Sequence, residues 1–180
     1  MWQVLEHKRL DRRCKSLPLE TLKRYEKWKD IVSISGPTGL RAIRGFNDES
    51  LRGQWKGFRS SRLGQQYRVI YKVEAANILV RVVDLTPHDY RKSNMSDYKT
   101  AIKRIDVSVG ESVRIIRELQ GLSQNNLAES SGIPQSTISA VENDRINLGV
   151  ERAKTLARVL KCHPAVLVFP GWEVESEHAA

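Results

Sequence analysis

Residues Leu122 to Asn143 place two short amphipathic segments around Gly132, a spacing that fits two helices folded against each other across a tight turn. Ser123 is positioned to cap the first segment through its hydroxyl. Gly132 offers the positive φ that ends it, and Pro134 suits the opening turn of the second. Leu127, Ala128, Ile133, Ile138 and Val141 recur at helical spacing and converge inside a small bundle. Upstream, Ser108 and Glu111 have the spacing of a capping box, followed by the stripe Val113, Ile116 and Leu119. Downstream, Val150, Ala153, Leu156, Ala157 and Leu160 repeat the pattern, and a short fifth segment surrounds Val166 and Leu167. The expected unit is an all-α domain of five helices built around a helix-turn-helix.

The 180 residues carry 30 Lys plus Arg against 21 Asp plus Glu, a net charge of +9 that points to a polyanionic partner. The charge is unevenly placed. Met1 to Asn94 holds 20 basic and 10 acidic residues, whereas Met95 to Ala180 holds 10 and 11, so the halves carry +10 and −1. A second nucleic-acid surface or an acidic partner is needed to explain the first half. Together with the change of pattern near residue 95, this asymmetry favours two domains, 1–92 and 107–180, with a polar connector at 93–106 around Met95. Cys14 and Cys162 fall in different domains without metal-like spacing and read as reduced thiols; no metal or cofactor is expected. No apolar run approaches the ~20 residues of a membrane span, so a cytoplasmic protein without a membrane partner is expected.

In the first half, Trp2 to Glu6 reads as a short strand. Leu19, Leu22, Tyr25, Trp28 and Val32 form a stripe on a helix that begins near Pro18 and ends at Gly36, Pro37 and Gly39. Trp55 to Arg62, Tyr67 to Val73 and Ile78 to Leu85 then read as strands separated by turns at Gly64 and at Ala75 to Asn77. The simplest arrangement is an antiparallel meander with helices on one face, a small α+β domain. Arg52, Lys56, Arg59, Arg62 and Arg68 cluster on its consecutive strands, and His88, Asp89 and Tyr90 follow the last one.

On Gln124, Leu127, Ala128, Gly132, Ile138, Ser139, Glu142 and Asn143, the segment Val107 to Phe169 resembles the Cro/Xre family of repressor domains. The resemblance implies that the second helix of the pair enters the major groove of DNA. Gln135 and Ser136 then face base edges, with Thr137 and Ala140 beside them: a glutamine pairs with adenine through two hydrogen bonds, and alanine touches a thymine methyl. Gln124, Asn143 and Arg145 hold phosphates, and Ser139 reads either as part of this face or as solvent-facing. Asp144 is an adverse charge at the edge of that footprint. A palindromic operator implies a homodimer through this domain.

Leu51 to Tyr71, with the terminal His88-Asp89-Tyr90, resembles the RelE/HigB/YoeB family of bacterial toxins over roughly Trp2 to Lys92. That resemblance implies a ribosome-dependent endoribonuclease, an mRNA interferase that acts on mRNA on the ribosome without metal. Such cleavage needs a base for the 2′-hydroxyl, positive charge for the phosphate and an acid for the leaving oxygen. By resemblance Arg68 stabilises the phosphate, and His88 and Tyr90 form the terminal catalytic pair, with Asp89 holding the His88 tautomer or capping a turn. Arg52, Lys56, Arg59 and Arg62 bind the RNA backbone, and the carboxylate used as base by some members has Asp48 or Glu49 as its candidates. A toxin-like unit followed by an Xre-like unit has the order of a HigBA type II toxin-antitoxin pair, here in one chain. It implies that the second unit neutralises the first, in cis or trans, and represses their promoter. Two alternatives stay open: a ParE-like toxin that targets gyrase, and a transcriptional regulator with an inert first half.

Overall fold

The structure, a computed structural model, describes residues 1–86 and 97–171. Its first part is a six-stranded sheet in the order β2-β3-β4-β5-β1-β6. The strands are β1 (Gln3–His7), β2 (Glu49–Ser50), β3 (Phe58–Arg62), β4 (Arg68–Glu74), β5 (Leu79–Thr86) and β6 (Tyr98–Thr100). β3, β4 and β5 form the expected meander. β1, however, joins β5 in parallel, which makes the sheet mixed. The parallel partnership needs a long crossover, and α1 (Leu10–Lys15) and α2 (Leu19–Ala42) begin it. α2 starts after Pro18 as expected and breaks at Gly36, whose φ of 66° is non-helical, before resuming with Pro37. Leu19, placed on its buried stripe by periodicity, is 54% exposed.

Residues 98–104, inside the expected connector, belong to this first part. β6 pairs antiparallel with β1 as an edge strand. The Arg104 guanidinium then donates to both oxygens of the fully buried Glu6, at 2.7 and 2.6 Å, and to Asp11 at 2.9 Å. A buried carboxylate needs such a partner, so the segment is tied into the sheet.

The second part holds α3 (Val109–Leu119), α4 (Gln124–Ser131), α5 (Gln135–Glu142), α6 (Val150–Leu160) and α7 (Pro164–Val168), the five helices expected. Capping boxes form at Ser108 with Glu111 and at Ser123 with Asn126, and Gly132 ends α4 in the left-handed region. Leu127, Ile138, Val141, Leu156 and Leu160 are buried, whereas Val150, expected on the buried stripe of α6, is 67% exposed. Asp144 acquires a structural role: it accepts from the Gly110 amide at 2.9 Å and from the Ser108 hydroxyl, compensating the amino end of α3.

One continuous apolar core runs through both parts. Tyr25, Trp28 and Val32 point from α2 to the sheet, where Trp28 meets the Tyr71 ring at a centroid distance of 5.1 Å. The opposite side of α2 carries Glu20, Lys23 and Lys27 toward the second part. Lys27, fully buried, donates to the Val166 carbonyl at 2.8 Å and to the Ser112 hydroxyl at 3.1 Å, and pairs with Asp30 at 2.6 Å. Lys23 pairs with Glu111, and Glu20 with Arg114. α3 in turn meets α2 with Glu111, Ser112 and Glu118 and meets α5 with Arg117 from its other side. The layers run sheet, α2, α3, α5.

Candidate nucleic-acid interfaces

Side chains alternate across a sheet, so the register decides which of the cationic residues share a face. Arg62 and Arg68 are direct partners at the end of the β3–β4 hairpin, followed on the same face by Ser60 with Ile70 and Phe58 with Lys72. Lys72 is in turn opposite Arg81 on β5. No described α-helix packs on this face; it holds a small apolar cluster of Ile70 and Val83 with Trp55 from a single 3-10 turn (Gly53–Trp55), and Leu51, Phe58 and Tyr98 lie against it. Glu49, the partner of Ser60 across β2, lies on it too. Arg68 donates to the Glu49 carboxylate at 2.8 Å and to the Ser60 hydroxyl at 3.1 Å. Glu49 is 51% exposed, so a phosphate can compete for the guanidinium.

Arg59 points the other way. Its guanidinium donates to Asp48 at 3.0 Å through Nε and to the Ser50 hydroxyl at 2.7 Å. Asp48, whose side chain is fully buried, also accepts from Ser61 at 2.8 Å and from the Tyr71 hydroxyl at 2.6 Å. Burial, and then the Asp48 charge, push the Tyr71 phenol well above its ordinary value. Asp48 and Arg59 therefore hold the sheet edge together, and the RNA-binding set expected from sequence divides: Arg62 joins Arg68, and Arg59 does not. Arg52 and Lys56 are exposed on the loop leading into β3. His88, Asp89 and Tyr90 lie outside the described residues.

The face also holds residues that charge clustering did not single out. Lys72 extends the cationic surface, whereas Arg81 is paired with Glu74 at 2.7 Å and lies over the Tyr98 ring at 5.2 Å. His7 packs edge-on against Tyr98. Burial, and then the Arg9 guanidinium, hold its imidazole below the ordinary histidine value, which keeps the ring neutral near pH 7. Strand alternation in β1 was the available signal for His7, because it pairs that residue with Tyr98 only once β6 is in place.

In the helix-turn-helix, Gln135, Ser136, Asn143 and Arg145 are exposed, and Thr137, Ser139 and Ala140 are partly so. Gln124 is engaged inside the motif: its amide donates to Glu142 at 2.7 Å and accepts from the Gln135 amide at 2.7 Å. Glu142 is itself buried and held by the Arg117 guanidinium at 2.6 and 2.9 Å. This chain of bonds fixes α5 against α4 and leaves the Gln135 oxygen and second amide hydrogen to face outward. The Asn143 amide donates to the Ser139 carbonyl at 2.7 Å, closing the end of α5. A cavity of about 620 Å³ lined by Trp2, Lys29, Ile102 and Phe169 lies away from both faces. Among the described residues no helix is long and apolar enough to cross a membrane.

Residues 113–167 match the helix-turn-helix family model. No curated protein matches the chain. Among solved structures, the chain is similar to the restriction-modification controller protein C.AhdI from Aeromonas hydrophila, at 34% identity over 33% of this chain and 89% of that one, with a TM-score of 0.32. It is also similar to a chain of the archaeal RelE-RelB complex from Pyrococcus horikoshii, at 28% identity over 48% of this chain and 93% of that one, with a TM-score of 0.40. A third likeness is to the YoeB-YefM complex from Staphylococcus aureus, at 15% identity over 49% of this chain and 99% of that one, with a TM-score of 0.39. Residues 113–167, which follow a mixed α+β unit, are thus a helix-turn-helix domain.

Proposed function

We propose that the chain is a toxin-antitoxin protein in one piece, an mRNA endoribonuclease unit joined to a DNA-binding unit that represses its own promoter. The observation that supports this reading is the sheet face left clear of α-helices, which carries Arg68, Arg62 and the exposed carboxylate of Glu49. Arg68 and Arg62 bind the scissile phosphate and offset the charge that builds up on it. Glu49, and not Asp48, is the base: Asp48 is buried and occupied by three donors, whereas Glu49 is open to solvent. In the reaction Glu49 takes the proton of a 2′-hydroxyl, the 2′-oxygen bonds to phosphorus, and the bond from phosphorus to the 5′-oxygen breaks. A proton must reach that leaving oxygen, and His88 and Tyr90 are the residues that resemblance nominates for it. On the other side of the molecule, α5 reads the major groove through Gln135 and Ser136, with Thr137 and Ala140 beside them, and Asn143 and Arg145 reach phosphates.

The test uses the whole chain, because residues 98–104 complete the sheet and a fragment ending at residue 94 would lack them. Transcript ends are mapped in a translating extract with the natural chain and with Arg68→Ala. New ends that depend on Arg68 are expected. Intact transcripts with inhibited gyrase would favour a gyrase-directed toxin, and intact transcripts with operator binding alone would leave a regulator.

A further inference from the structure

We infer that one chain holds duplex DNA and single-stranded RNA at the same time, so that the DNA-bound form keeps its RNA surface open. The inference rests on the two faces proposed above and adds their relation to each other. On α2, Tyr25, Trp28 and Val32 face the sheet, and Lys23 and Lys27 on the opposite side face α3 and α7. On α3, Glu111, Ser112 and Glu118 meet α2, while Arg117 reaches from the other side to Glu142 at the end of α5. The sheet face bearing Arg62 and Arg68 is turned away from α2, and the exposed residues of α5 are turned away from α3. Two helical layers therefore stand between the surfaces, and no described residue serves both.

The seam between the layers is rigid enough to keep them apart. Lys27 is wholly buried with three partners, and Gly45 lies so close to the end of α3 that a Cβ there would meet the Leu119 carbonyl oxygen at 2.4 Å. Chemistry commits the sheet face to RNA. Arg62, Arg68 and Lys72 supply charge for a phosphate backbone, and Phe58 and Tyr98 supply rings of the kind on which unpaired bases stack. The uneven charge has the same sense, since the first half carries +10 and the helix-turn-helix half −1.

The experiment uses the whole chain, a duplex containing the sequence upstream of its reading frame, and a fluorescent 2′-O-methyl RNA of about 12 nucleotides, a length that fills a single-strand groove. RNA affinity is measured by anisotropy with and without saturating duplex. The expected result is a ternary complex with RNA affinity changed by less than about twofold, that is, a coupling factor near one in either order of addition. R62E together with R68E is expected to weaken RNA binding by about tenfold or more and leave the duplex bound, and S136E to do the reverse. If each nucleic acid binds alone but displaces the other, the inference is overturned while the functional reading stands. If the RNA does not bind the chain even alone, the inference is overturned, and the functional reading is decided separately by the Arg68-dependent cleavage in translating extract.

Discussion

Asp48 and Glu49 are adjacent carboxylates in unlike surroundings, and the difference predicts how each responds to substitution. Asp48→Ala strips Arg59, Ser61 and Tyr71 of a shared acceptor and leaves a cation half-buried. Breaking a buried ion pair costs about 3 to 5 kcal/mol, so urea unfolding of this variant is expected to show a loss of that order. Glu49→Gln removes an exposed ion pair and is expected to change stability by less than about 0.5 kcal/mol in the same measurement. As the proposed general base, Glu49 is expected instead to act on the rate, its loss lowering cleavage by about 10²- to 10⁴-fold. Equal destabilisation by the two substitutions would contradict the division of roles. His7 adds a pH dependence. Its folded value lies below that of a free histidine, so the unfolded chain takes up a proton first as pH falls. The stabilisation by neutral His7 is full above about pH 6.5, the value of a free histidine, and is lost as pH drops through its folded value. Thermal melts of His7→Gln and the natural chain between pH 7 and about 5 are expected to converge as acid is added.

At the level of elements, Lys27 is the residue on which the seam turns. Lys27→Met keeps the apolar stem but leaves Asp30, the Ser112 hydroxyl and the Val166 carbonyl short of a donor, at an expected cost of about 2 to 4 kcal/mol in thermal or urea unfolding. A neutral effect would mean that α3 and α7 are held to α2 by apolar contact alone. The helices of the second part were legible because each is bracketed by its own caps and turns, Ser108 with Glu111, Ser123 and Gly132. The meander was legible because its strands alternate and its turns are local. Nothing local marks β6 or the parallel pairing of β1 with β5, which join residues far apart in sequence. Residues 98–104 look like a polar connector because their charges, Arg104 foremost, are matched by Glu6 and Asp11 near the other end of the chain. The candidate site was readable to the same degree. Arg62 and Arg68 stand two strands' ends apart in sequence and come together through the hairpin, whereas Arg59 separates from them by strand alternation alone. Asp144 seemed out of place beside a phosphate contact until its partner at the start of α3 was in view.

The molecule as a whole is built around α2, which is covered by the sheet on one side and by the helix-turn-helix on the other. A core continuous across that helix makes the two parts one unfolding unit, so calorimetry of the whole chain is expected to show a single transition, with calorimetric and van't Hoff enthalpies in agreement. Two separated transitions would show that the seam contributes little to the stability of either part. With the helix-turn-helix docked behind α2, the attached unit does not cover the Arg68 face, and any silencing of that face has to come from a second chain or from outside the described residues. The most direct test of the account is single-turnover cleavage of a short mRNA on programmed ribosomes by the whole purified chain, beside Arg68→Ala. Cleavage by the natural chain is expected, with a rate lower by about 10²-fold or more in the variant, the effect of removing one group that stabilises transition-state charge. Equal rates in the two, or no cleavage by either, would contradict it.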